Sequence, residues 1–298
     1  MKPNFIGLGG QKCASTWLYE VLRDHTDVYV CTPKEIDFFS SCYENGLQWY
    51  ERSFAAAHGK RAIGEISPSY LPDCDAPARA CEYNRAFRLV VSLRDPVERA
   101  YSNHLHEIRL GHYSGEDLTF EAGLANNPMY LEQSRYAKHL ARWLRYFPRG
   151  QLLVVLQEEI AAYPDREARR LYEFLGIDAQ HVPASVAARS NDSYLPRSRS
   201  GERLIRAVGN ATRTLGMSRL VELMRSAGLI AAIHRRSRLQ IREIVPPMRN
   251  STREDLYRLF GNECIELAEL IGRESLPWKT WESAMSRRSP QALCTPQL

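Results

Sequence analysis

No two cysteines of this chain are spaced as a CxxC pair. The seven present (Cys13, Cys31, Cys42, Cys74, Cys81, Cys264 and Cys294) are odd in number. Both features argue against a disulfide framework and a structural zinc site, and they suit a reducing compartment. No uninterrupted apolar run approaches the ~18 residues that a membrane-spanning helix requires, so no transmembrane segment is expected. Met1-Lys2-Pro3-Asn4 leads straight into Phe5-Ile6-Gly7-Leu8 without the apolar core of a signal peptide. These absences give the expectation of a cytoplasmic protein. Neither GxxxxGK[ST] nor GxGxxG occurs, which removes the usual triphosphatase loop and the dinucleotide fingerprint. The arginines are scattered and no nucleic-acid motif is present, so nucleic acid is not an expected partner. No cluster of metal-ligating side chains stands out, and no metal is expected.

What is present is an ordinary globular composition. Of 298 residues, 44% are hydrophobic and 25% are charged. The formal net charge of +5 suits an anionic ligand without selecting one. Short apolar runs at Phe5–Leu8, Val28–Val30, Ala62–Ile66, Arg88–Leu93 and Leu152–Leu156 read as strands. Helical patterns at Ser15–Arg23, from Asp95-Pro96 onward, at Ser134–Phe147 and at Arg166–Leu175 separate them. This alternation predicts an α/β fold with a central parallel sheet flanked by helices. Ser190–Ser200 reads as a polar loop. Residues 201–243 and Thr252–Gly272 read as helices. The expected organisation is one domain over 1–298, with a core at about 4–190 and a helical C-terminal extension at about 200–285.

Gly9-Gly10-Gln11-Lys12-Cys13-Ala14-Ser15-Thr16-Trp17 falls between the first strand and the first helix. Backbone N–H groups and the helix dipole converge on an anion at such a point. Lys12 adds an ammonium, and Ser15 and Thr16 add hydroxyl donors. The alternative is a helix start after a glycine turn with Lys12 solvated. A second anion-reading element begins at Arg94, at the carboxyl end of the strongest strand, where open α/β sheets bind ligands. Ser102 follows eight residues later on the next helix. The alternative there is Arg94 paired with Asp95 or Glu98.

Taken together, the two elements resemble the PAPS-dependent sulfotransferases, enzymes that use 3′-phosphoadenosine 5′-phosphosulfate (PAPS). Lys12-Cys13-Ala14-Ser15-Thr16-Trp17 is similar to their KSGTTW-type 5′-phosphosulfate loop. Arg94-Asp95-Pro96-Val97-Glu98-Arg99-Ala100-Tyr101-Ser102 is similar to their 3′-phosphate motif. Lys34-Glu35-Ile36-Asp37-Phe38-Phe39, Gly46-Leu47-Gln48-Trp49-Tyr50 with Phe54, Ser134-Arg135-Tyr136, and Trp143-Leu144-Arg145-Tyr146-Phe147-Pro148 resemble the glycan-directed, heparan sulfate type branch and its bacterial relatives. The resemblance covers roughly residues 4–180.

It implies a P-loop-like sulfotransferase fold and sulfuryl transfer from PAPS to a hydroxyl or amine of a carbohydrate or other hydroxylated metabolite. The product is 3′-phosphoadenosine 5′-phosphate, and no metal is involved. It also implies roles. Lys12 stabilises the leaving phosphate. Cys13, Ala14, Ser15 and Thr16 hold the 5′-phosphate, Trp17 stacks on adenine, and Arg94 and Ser102 grip the 3′-phosphate. Glu35 is the general base, in an apolar neighbourhood set by Phe38-Phe39, with Asp37 a further candidate and His104 and His106 ranked lower. Arg197 and Arg199 fall where the family closes over the nucleotide.

The alternatives are a core position for Trp17, a surface pair of Glu35 with Lys34, and a solvated basic loop at Arg197 and Arg199. One departure stands out: where the heparan-type enzymes carry a lysine in an EKTPxYF-like segment, this chain has Ile66 in Glu65-Ile66-Ser67-Pro68-Ser69-Tyr70-Leu71. A nucleotide phosphotransferase and a catalytically inactive nucleotide-binding homologue are the competing readings.

Overall fold

Continuous apolar strands need cover on both faces, and the sheet has it. The computed structural model describes residues 1–184, 194–196 and 238–288. Strands β1 (Phe5–Gly7), β2 (Val28–Val30), β3 (Ala62–Ile66), β4 (Arg88–Leu93) and β5 (Leu152–Leu156) form one parallel sheet in the order β2-β3-β1-β4-β5. Between and after them run α1 (Ser15–Asp24), α2 (Leu47–Arg52), α3 (Ala76–Tyr83), α4 (Pro96–Leu110), α5 (Phe120–Asn126), α6 (Met129–Glu132), α7 (Tyr136–Trp143), α8 (Gln157–Ala162) and α9 (Pro164–Leu175). The later elements are β6 (Tyr194–Pro196), β7 (Arg238–Gln240), α10 (Ile241–Ile244), α11 (Asn250–Ile271) and α12 (Lys279–Arg288).

The period-2 alternation of the strands sorts their side chains between two cores. Leu89, Val91 and Leu93 join Ile6, Leu8, Phe38, Phe39, Tyr136, Trp143, Leu267 and Trp278 on one face. Val90 joins Phe5, Trp17, Leu18, Val21, Ile66, Leu171 and Tyr172 on the other. The predicted α/β architecture is therefore present, and each strand placed by sequence falls within a residue of its expected bounds.

The described chain divides into two compact units, one of Met1–Asn103, Leu124–Ser190 and Met248–Leu298, the other of His104–Gly123 and Asn191–Pro247. The five-stranded sheet lies in the first. In the second, β6 pairs antiparallel with β7, Tyr194 opposite Gln240. This corrects the expectation of a loop throughout Ser190–Ser200: polar composition hides a strand whose pairing partner lies more than forty residues on. The helical reading of 201–243 lies outside the described residues up to 237; at Arg238–Gln240 it is corrected, because that segment pairs as β7, and helix resumes only at α10.

The helix predicted for Ser134–Phe147 is regular only over Tyr136–Trp143. Arg135 breaks it with φ −82° and ψ 67°. Ser134 is fully buried, its hydroxyl accepting from Arg99 Nε at 2.6 Å and donating to the Pro96 carbonyl at 3.0 Å. A tertiary bond thus holds Ser134 where periodicity alone predicts helix.

Candidate active site at the carboxyl edge of the sheet

The order β2-β3-β1-β4-β5 places the loops after β1, β2, β3 and β4 along one edge, the place where open α/β sheets bind ligands. Hydrogen bonding continues past the end of β1. Leu8 N–H donates to Val90 O and Gly10 N–H to Ser92 O, each at 2.8 Å. The glycine loop therefore runs alongside the last turns of β4 and stops two residues short of Arg94. Gly10 is required here, because a Cβ on it would meet Cys13 Sγ at 2.6 Å.

Lys12 and Ala14 both take φ of 68°, in the left-handed region that non-glycine residues rarely adopt. Ala14 is the N-cap of α1 and has no side-chain cap bond. Alanine is a poor N-cap, so the first N–H groups of α1 lack the partner that Ser, Asp or Asn would give. A left-handed turn feeding an uncapped helix start is a cradle for an anion. Cys13 serves it from beneath. Its thiol is buried and lies 3.6 Å from Tyr136 Oη, and burial pushes it up to about 11. Cys13 and Ala14 can therefore meet a phosphate through backbone, not side chain. Lys12, Ser15 and Thr16 are half-buried. Trp17 is buried against the sheet, with its ring in the same core as Phe5 and Ile66.

The end of β4 is built differently. Asp95 is buried, and burial raises its carboxyl above the usual range. It accepts from Val97 N–H at 2.9 Å and Glu98 N–H at 3.3 Å, capping α4, and from the Thr280 N–H at 3.1 Å and hydroxyl at 3.0 Å. Arg94 is only 16% exposed, and its guanidinium lies 3.9 Å from Glu98 Oε2. Glu98 is held more closely by Arg253. Arg94 thus keeps one loose internal counter-ion while its neighbours are tightly bound. Ser102 is half-buried two turns along α4. Arg99 is fully buried, and its hydrogen bonds go to Ser134 Oγ, Gln133 Oε1 and the Tyr130 carbonyl. It fixes α4 to the segment before α7.

After β2 the chain is pinned to the end of β3. Ser67 Oγ accepts from Ile36 N–H at 3.1 Å and Asp37 N–H at 3.0 Å, and donates to Glu65 Oε2 at 2.7 Å. Asp37 has φ 55°, and its carboxylate accepts from Ser69 Oγ. Phe38 and Phe39 turn into the core, where Phe38 stacks on Tyr50. The Glu35 side chain is instead 43% exposed, and its carboxylate lies 3.3 Å from Lys34 Nζ. The apolar neighbourhood expected around Glu35 is therefore absent, because the two phenylalanines point away from it. The buried carboxyl of this segment is Glu65, which also accepts from Tyr70 Oη at 2.5 Å. Burial pushes it up to about 7, against the lowering effect of its hydrogen bonds.

The structure brings Lys12, Cys13, Ala14, Ser15, Thr16, Arg94 and the Glu35 segment to one edge. His104 is buried and donates from Nε2 to the Leu118 carbonyl at 3.0 Å, and His106 Nδ1 lies 2.9 Å from Arg109, so both have local partners. Arg197 and Arg199 lie outside the described residues. In the sequence Lys34 reads only as a partner of Glu35. Its ammonium also donates to Ser15 Oγ at 3.0 Å, at the start of α1. The signal was the charged Lys34-Glu35 pair directly after a strand on the ligand edge.

The family profile described as "Sulfotransferase domain" matches residues 2–200. Over 181 residues the chain is 38% identical to heparan sulfate glucosamine 3-O-sulfotransferase 3B1 of Mus musculus, covering 59% of this chain and 46% of that protein. Over 298 residues it is 28% identical to bifunctional heparan sulfate N-deacetylase/N-sulfotransferase 2 of Homo sapiens, covering 94% of this chain and 30% of that protein. The chain thus spans about half the length, or less, of these curated relatives. Among solved structures, a sulfotransferase from Alicyclobacillus acidocaldarius aligns with TM-score 0.67 and 23% identity, covering 92% of this chain and 97% of that one, and so shares its fold. The same relatives correct the expected cytoplasmic location: heparan sulfate 3-O-sulfotransferases are Golgi-luminal enzymes. Unpaired cysteines and the lack, among the described residues, of a helix long and apolar enough to cross a membrane do not report a compartment.

Proposed function

The chain belongs to the sulfotransferase domain family, and from that membership we propose that it moves a sulfuryl group from PAPS to a hydroxyl or amine of a carbohydrate acceptor. Sulfotransferases of this family use PAPS. The observation that carries the reading is the β1–α1 cradle, with its uncapped helix start beside Lys12, Ser15 and Thr16. Such a cradle suits a phosphate, and Arg94 and Ser102 beside it suit a second one. Two anion-reading elements on one edge fit a nucleotide that is phosphorylated at two positions.

Bound there, the donor supplies an activated sulfuryl group. The residues of this chain do the rest. Backbone N–H groups of the loop, with Ser15 and Thr16, hold the 5′-phosphate. Lys12 places a positive charge where negative charge develops on the leaving phosphate. Arg94 holds the 3′-phosphate with its planar fork. Glu35, exposed enough to meet an acceptor, takes the proton from the attacking hydroxyl or amine. Asp37 faces Ser69 and the buried Glu65 and is placed to orient this segment. The similarity to heparan sulfate sulfotransferases favours a glycan acceptor. Ile66, buried and apolar, favours a second reading: a nucleotide-binding protein without turnover.

Calorimetric titration with 3′-phosphoadenosine 5′-phosphate, without metal, tests the donor site. Micromolar binding is expected, weakened about 100-fold in Arg94→Ala, consistent with loss of a charge-assisted pair. Wild-type protein that folds and does not bind would remove the reading. Glu35→Gln is expected to bind the nucleotide normally and to lose sulfation of a desulfated heparan acceptor. Full binding without turnover by wild type would favour the second reading.

A further inference from the structure

Lys34 sits in an unexpected place for a surface lysine. Its neighbour Glu35 offers a counter-ion that both side chains could meet in solvent, and such exposed pairs contribute little. Instead the Lys34 side chain is bent inward and is only 19% exposed. Its ammonium donates to Ser15 Oγ at 3.0 Å, across nineteen positions of sequence, while staying 3.3 Å from Glu35 Oε1. Ser15 is the first residue of α1, the helix whose N-terminus has no side-chain cap. Its hydroxyl is also one of the groups that frame the anion cradle. The ammonium thus bridges the two functional halves of the edge, the cradle on one side and the carboxylate offered to the acceptor on the other.

The backbone just after it is anchored. Ile36 and Asp37, just after the pair, hang from Ser67 Oγ through their N–H groups. The neighbouring strand end cannot contribute a cation in its stead. Ile66 is buried against the last residue of β1, with its Cγ1 2.7 Å from where a Cβ on Gly7 would lie.

We infer that Lys34 is a donor-site residue, holding the 5′-phosphosulfate end of the nucleotide from the side opposite the α1 backbone and keeping Glu35 beside it. This rests on the reading of the donor site given above and adds to it a residue and a side of approach. A compact ammonium with three donors can keep Ser15 and Glu35 and still offer one N–H to a phosphate oxygen. Its effect must depend on the 5′ group and be blind to the 3′ group.

That dependence provides a test that needs no acceptor. Wild type, Lys34→Met, Lys34→Arg and Arg94→Ala are titrated by calorimetry with 3′-phosphoadenosine 5′-phosphate and, at millimolar concentration, with adenosine 3′-monophosphate, which lacks the 5′ group. Lys34→Met keeps the length and apolar stem of the side chain, and its unfolding curve controls for folding. The expected result is a tenfold or greater loss of affinity for the bisphosphate in Lys34→Met, with the monophosphate unchanged. Lys34→Arg should stay within about threefold of wild type, since a charged donor remains, and Arg94→Ala should weaken both ligands. Lys34→Met that binds both ligands as wild type does, or loses both equally, would overturn the assignment while leaving the donor site intact. Wild type that binds neither ligand would overturn the donor-site reading, and the role of Lys34 with it.

Discussion

Two helices begin at the ligand edge, and they begin in opposite ways. α4 starts on Asp95, whose carboxylate takes the N–H groups of Val97 and Glu98 and is itself held by Thr280. α1 starts on Ala14, in a left-handed turn, with no side-chain cap. The first start is complete within the protein, and the second is left for something else to complete. Under the function proposed above, the contrast divides the work of anion binding. At α4 the backbone is committed, so a phosphate there would be read by the side chains of Arg94 and Ser102. At α1 the backbone itself is on offer, and side chains would assist it.

The largest effect that would sharpen this contrast comes from removing the committed cap. Asp95→Ala leaves two helix N–H groups and the buried Thr280 groups without their acceptor. A loss of roughly 4 kcal/mol in urea unfolding is expected, about 2 from the cap and the remainder from the stranded Thr280 groups. A loss under about 1 kcal/mol would show that the two starts are energetically alike.

Slightly smaller is an effect at the end of β3, where Glu65 is also satisfied internally. Burial pushes its folded-state carboxyl up to about 7, from an ordinary value of 4.5, so the native state holds a proton that the unfolded state releases. Stability therefore falls as pH rises from about 4.5 to about 7, by up to ~3 kcal/mol, and levels off above that. Glu65→Gln, compared with wild type in urea at pH 5 and pH 8, is expected to flatten this dependence. An unchanged slope would assign it to other groups.

The smallest effect is at the open start. Ala14→Gly relieves a left-handed alanine and is expected to stabilise the ligand-free protein by about 1 kcal/mol, read as a rise in melting temperature. A fall would mean that the Ala14 methyl is packed rather than strained.

These starts also show what was legible in the sequence. The strands were readable because each is a short apolar run covered on both sides. The loop and the Arg94–Ser102 frame were readable because their residue types and order point to anion binding. Ser134 was misplaced into a helix because its hydroxyl bonds Arg99, thirty-five positions earlier, and no local pattern reports that. Tyr194–Pro196 was hidden for the same reason, its partner being distant. The setting of Glu35 is not legible in the sequence, because adjacency to Phe38-Phe39 along the chain is not adjacency in space: both rings turn into the core. The candidate site is marked by local chemistry, whereas orientation is decided by tertiary contacts that no local pattern reports.

The bond from Thr280 to Asp95 joins residues 185 positions apart. On the ribosome, the chain is made from the N-terminus at roughly 5–20 residues per second. The cradle after β1 and the Arg94 motif are translated early, yet the cap of α4 is not clasped until Thr280 has emerged. Glu158 awaits Trp278 in the same way, accepting from its Nε1 at 2.9 Å. The candidate edge is thus completed by a segment made well after it, and a nascent chain stalled before that point would carry Arg94 and Ser102 at the head of a helix still missing its clasp.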